Sequence, residues 1–99
     1  MAKFGELISS DIPVLIDFYV EWEEESINDF HSILRDVAAA LGDRAKVIKI
    51  DIEKNEMLAN ALRIKGNPTF IIYKDGEMKW RQSGDQDANT LISLVQQYV

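Results

Sequence analysis

Residues 14–26 read Val14-Leu15-Ile16-Asp17-Phe18-Tyr19-Val20-Glu21-Trp22-Glu23-Glu24-Glu25-Ser26. The first seven are β-branched, aliphatic or aromatic apart from Asp17, and Pro13 precedes them. A strand-length run of this composition carries no alternation of polar and apolar positions, which predicts a central strand covered on both faces. Asp17 is then a charge inside the core. After Val20 the run ends in a tryptophan and three consecutive carboxylates, and from Glu24 onward the periodicity changes. Ile27, Phe30, Leu34, Val37 and Leu41 recur at steps of three and four residues, which puts them on one helical face. Gly42 follows, as expected where a helix ends in a left-handed residue.

Working outward, residues 46–52 read Lys-Val-Ile-Lys-Ile-Asp-Ile, a second strand joined to the first through the helix in a right-handed βαβ unit. Asn55 is placed to cap a short helix carrying Met57, Leu58, Ala61 and Leu62. Gly66-Asn67-Pro68 breaks the chain before the strand Thr69-Phe70-Ile71-Ile72-Tyr73, and Asp75-Gly76 is a two-residue hairpin signal leading into Glu77-Met78-Lys79-Trp80-Arg81. Trp80, alternating with Lys79 and Arg81 on an edge strand, reads as sheet packing. Asp87 is a good N-cap for a last helix that turns Leu91, Ile92, Val95 and Tyr98 toward the sheet. Residues 4–10 are expected to form a short leading helix. The predicted architecture is an α/β three-layer sandwich, with a central mixed sheet of four main strands flanked by helices in the order (short α)-β-α-β-α-β-β-α. Neither a repeat nor a linker divides it, so residues 1–99 read as a single domain.

Val14-Leu15-Ile16-Asp17-Phe18, Glu21-Trp22, Lys49, Asn67-Pro68-Thr69, Asp75-Gly76 and Gly84 together resemble the thioredoxin family over nearly the entire chain. That family's redox turn reads Trp-Cys-Gly-Pro-Cys; here Glu23 and Ser26 stand at the two cysteine positions, and the chain has no cysteine. The resemblance implies a thioredoxin-like fold with a cis-proline at Pro68, lying beside the turn where an extended substrate peptide pairs. It also implies that Asp17 and Lys49 match the buried acid and nearby lysine that assist proton transfer to the inner cysteine. Dithiol exchange needs a low-pKa thiolate and a resolving thiol, and neither group exists here. Glu23 cannot exchange with sulfur, and the Ser26 hydroxyl is too weak a nucleophile without an activating base. The expectation is therefore a chain that is not an enzyme and needs no cofactor.

The same surface retains features suited to binding. Trp22, Glu23, Glu24, Glu25, Ile64, Asn67 and Pro68 are the candidate contact residues, an apolar patch edged by acids. Two readings of the glutamates stand side by side: Glu23 imitates a permanently reduced thiolate, or all three are favourable first-turn residues at a helix N-terminus. Asp17 and Lys49 read as a buried charge pair whose desolvation and attraction push the acid's pKa in opposite directions. The net charge of −6 disfavours nucleic acid and anionic membranes, so a charged protein or peptide partner is expected to be basic. No apolar run approaches the length of a membrane span, and the N-terminus lacks a signal-peptide pattern, which points to a cytoplasmic protein. Metal binding is not expected: consecutive helical glutamates diverge, and His31 has no second histidine or cysteine beside it. The leading expectation is a redox-inactive protein- or peptide-binding module. The alternatives are a self-associating structural subunit and, ranked last, a non-redox acid/base enzyme using Asp17 or Glu23.

Overall fold

The computed structural model describes residues 4–20, 24–65 and 68–99, with the side chains of residues 24–31 outside that description. Its elements run α1 (Phe4–Ile8), β1 (Val14–Tyr19), α2 (Glu24–Leu41), β2 (Lys46–Asp51), α3 (Glu56–Ala61), β3 (Thr69–Lys74), β4 (Glu77–Ser83) and α4 (Ala88–Gln96). This is the order expected from the sequence. Short 3-10 turns at Gly42–Arg44 and Glu53–Asn55 precede β2 and α3.

The sheet order is β2-β1-β3-β4. β1 lies inside it, parallel to β2 and antiparallel to β3, which pairs antiparallel with β4. Alternate side chains of β1 enter two separate cores. Leu15 joins Phe70 and Ile72 beneath α2 and α4, where Leu34, Val37, Leu41, Leu91 and Val95 close the layer. Val14, Ile16 and Phe18 join Ile50, Ile71 and Tyr73 on the opposite face, covered by Ile8 and by Leu58, Leu62 and Ile64 around α3. A strand buried on both faces has no use for polar alternation, which is why β1 and β3 read as continuous apolar runs. Trp80 on the edge strand β4 packs against the α2 and α4 layer, as expected.

Turn chemistry follows the sequence at three points. Gly42 has φ of 55°, ending α2 in the left-handed region glycine tolerates. Asp75 and Gly76 have φ of 54° and 79°, the pair of positive values a tight type I′ hairpin requires. The Asp87 carboxylate accepts from the Thr90 N–H at 2.7 Å and caps α4. Asn55 behaves differently from expectation. It occupies the N-cap position of α3 without a capping side-chain bond, because its amide donates to the Asp51 carbonyl at 2.9 Å. The Asp51 carboxylate instead accepts from the Glu53 and Lys54 N–H groups, organising the turn one step earlier. β1 and β2 each end one residue before the expected boundary, at Tyr19 and Asp51, whereas β4 runs on to Ser83.

Leu91 is fully buried at the centre of the α4 contact. Truncation of a buried leucine removes transfer energy and leaves a cavity. Leu91→Ala should lower the unfolding free energy by about 2–5 kcal/mol in a urea titration, with the folded circular-dichroism spectrum retained.

Candidate functional site

The β1 and β3 register builds the site. Phe18 pairs with Thr69, so Pro68, immediately before β3, lies at the carboxyl end of β1, the end from which the chain passes to α2. Pro68 is buried, and its carbonyl accepts from the Gly84 N–H at 2.9 Å. Gly84 has φ of 99°, a conformation that a side chain disfavours. The hydroxyls of Thr69 and Ser83 lie 3.1 Å apart and share a hydrogen bond beside it. The proline segment is thus tied to the end of β4.

Its other side is tied to α3. Arg63 has φ of 55°, and the Ile64 N–H donates to the Ala59 carbonyl at 2.9 Å, closing the helix with a left-handed residue. The Arg81 guanidinium on β4 donates to the Leu62 and Arg63 carbonyls at 2.6 and 2.7 Å. The Leu62 carbonyl is one the helix end leaves without a partner, the Arg63 carbonyl lies just beyond it, and a charged fork satisfies both. Sequence reasoning assigned Arg81 only to an edge strand. Its partners lie 18 and 19 positions away, and nothing local to Arg81 signals the contact.

Glu24, Glu25 and Ser26 begin α2. Trp22, Glu23 and Asn67 lie outside the described residues. Ile64 is half-buried and packs against the core under α3, so it and buried Pro68 offer less apolar surface than an exposed patch would. An open hollow of about 420 Å³ lies on the α3 side, lined by Glu53, Lys54, Asn55, Glu56, Met57 and Leu58. None of these is a candidate site residue. Among the described residues, no group of three or more His, Cys, Asp or Glu side chains could hold a metal ion.

Asp17 is the most unusual side chain. It is fully buried, faces the α2 layer with Leu15, and among the described residues neither carboxylate oxygen has a hydrogen-bond partner. Asp17 stands beside Lys49 in the parallel register of β1 and β2, and Lys49 is exposed. The two opposing influences are therefore unequal. Burial outweighs the attraction of the Lys49 charge and leaves the carboxyl raised from 3.8 to about 7.

A thioredoxin family profile matches residues 1–97. The chain belongs to the thioredoxin family. It is 41% identical over 96 residues to the chloroplastic thioredoxin Y of Oryza sativa, covering 96% of this chain and 56% of the relative. It is 31% identical over 91 residues to the thioredoxin of Rickettsia prowazekii, covering 92% of this chain and 86% of that one. The crystal structure of chloroplastic thioredoxin z superposes with a TM-score of 0.77 at 33% identity, over 89% of this chain and 79% of that one. The chain spans about half the length of the chloroplastic thioredoxin Y relatives it matches. A thioredoxin fold is thus preserved in a chain without cysteine.

The buried carboxyl makes stability depend on pH. Between about pH 4 and pH 7 the folded protein holds a proton that the unfolded chain has released, so the unfolded state binds fewer protons and stability falls as pH rises. Below that window both states are protonated and the penalty vanishes. Urea titrations at pH 5 and pH 8 should show a loss of about 1–3 kcal/mol attributable to this group. Asp17→Asn, which cannot ionise, should remove that part of the slope and be the more stable form at pH 8.

Proposed function

We propose that this chain is a redox-inactive member of the thioredoxin family that binds a protein or peptide through the surface other members use for dithiol chemistry. The observation that carries the reading is the combination of an intact proline-segment scaffold with the absence of any sulfur nucleophile. Pro68 is anchored to Gly84, and the approach to it is braced by Arg81, yet the chain has no cysteine. A thiol-free chain cannot form the mixed disulfide that defines the family's exchange reaction. A fold constrains function only through its sites, and the feature retained here is the shape beside α2.

In this reading Glu23 and Ser26 occupy the dithiol positions, and Trp22, Glu24, Glu25, Ile64, Asn67 and Pro68 form the contact surface. The reading includes a cis bond before Pro68, which proline carbon shifts test directly. The glutamates in the sequence at the start of α2 favour a partner with basic side chains. Asp17 takes no catalytic part, since the group it would serve is missing. The reading includes a cytoplasmic setting, although three plant relatives are chloroplastic; imaging the tagged protein in its own cells separates the two.

The test compares the parent chain with a Trp22→Ala, Glu23→Gln double variant as bait in native lysate. Insulin-disulfide reduction by the parent should stay at the reagent blank. A partner held by the parent and released by the variant, with both equally folded, is the expected result. Equal capture by the two baits would move the binding function to another surface.

A further inference from the structure

We propose that Met57 is a reversible oxidation site, whose thioether a hydroperoxide converts to the sulfoxide in the folded chain and a methionine sulfoxide reductase restores. The chain has no cysteine, so its sulfur atoms belong to Met1, Met57 and Met78. A thiol must ionise before it reacts, whereas a thioether has no proton to lose and keeps its nucleophilic lone pairs across the neutral pH range. In a folded chain its reactivity is therefore set by access to the oxidant. Met57 is 88% exposed and Met78 44%. Met57 is the second residue of α3 and lines the open hollow, while Leu58, Ala59 and Leu62 turn that helix toward the core. Met78 lies within β4, opposite Tyr73 in the sheet register.

The sulfur lone pair attacks one oxygen of hydrogen peroxide, and the O–O bond breaks as the S–O bond forms. The departing hydroxide takes the proton from the oxygen left on sulfur and leaves as water. Sulfur is oxidised by two electrons and the peroxide is reduced by two. This reaction needs no resolving thiol, so the missing cysteines do not bar it. A sulfoxide inside a core disrupts packing, because an apolar, flexible side chain becomes polar. At Met57 the added oxygen projects into water, so the fold survives and the change is confined to the wall of the hollow. The same exposure leaves the sulfoxide within reach of the reductases, one for each epimer at sulfur. The site is independent of the binding surface proposed above, since no contact residue of that surface takes part.

The test exposes the full chain to hydrogen peroxide and follows oxygen uptake by mass spectrometry after trypsin. Cleavage at Lys and Arg places Met57 in the peptide 55–63 and Met78 in the peptide 75–79, so each methionine is read separately. In the folded chain Met57 should oxidise about twofold faster than Met78 or more, as exposures of 88% and 44% imply. In guanidinium chloride the two rates should converge, which shows that the fold and not the local sequence sets the preference. Thermal unfolding of the chain oxidised at Met57 should have a midpoint within about 4 °C of the parent's, the range of a surface change. Incubation of that folded chain with the two epimer-specific reductases and dithiothreitol should return peptide 55–63 to its starting mass. The proposal is overturned if Met78 oxidises as fast as Met57 in the folded chain, or if the preference persists in denaturant. A sulfoxide that the reductases remove only after unfolding would end it as well, since the mark would not be reversible in the native protein.

Discussion

Everything in this molecule is arranged around β1, a strand held between a parallel and an antiparallel neighbour and buried on both faces. Its two faces feed two cores, so the α2 and α4 layer and the α1 and α3 layer are positioned by a single backbone. The pairing with β3 fixes the height of Pro68, and the pairing with β2 ends where the Ile52 N–H reaches the Tyr19 carbonyl. Beyond that point the chain leaves the sheet for α2. The candidate site is a consequence of where β1 stops.

One residue in that strand works against the packing that defines it. A carboxyl group without hydrogen-bond partners among the described residues, sealed inside the α2 layer, is a destabilising element at neutral pH. In a thiol enzyme of this family such a group has a proton-transfer task. Here the chain keeps the acid and lacks the sulfur. Lys49 stands beside it in the register, yet an exposed ammonium does not restore the hydration that burial removes. Protonation relieves the conflict more cheaply than ion pairing does, and this sets the direction of the pKa.

The architecture was legible because most of its signals are local. Continuous apolar runs marked β1 and β3, the spacing of Leu34, Val37 and Leu41 marked the inward face of α2, and Gly42, Asp75-Gly76 and Asp87 marked turns and caps that the backbone angles bear out. What escaped depends on competition or distance. Asn55 stands at the N-cap position, but its amide reaches back to the Asp51 carbonyl, while the Asp51 carboxylate takes the Glu53 and Lys54 N–H groups of the preceding turn. Arg81 braces carbonyls on another element, a contact created only by the folded β4 and α3. For the site, sequence named Asp17 and Lys49 as neighbours but could not weigh burial against attraction, because that depends on how completely α2 covers one and exposes the other. Ile64 and Pro68 show the same limit: an apolar residue near a site can face the partner or the core, and both are drawn inward here.

Pro68 is held from β4 through Gly84, and the end of α3 is braced by Arg81, so both anchor points are set by the fold itself. Such preorganisation lowers the entropy lost on binding and does not depend on whether a thiol is present. The absence of cysteine removes dithiol exchange while the ties that hold Pro68 to the end of β4 remain. What this chain retains of the thioredoxin fold is scaffold geometry, which does not depend on sulfur, whereas exchange does.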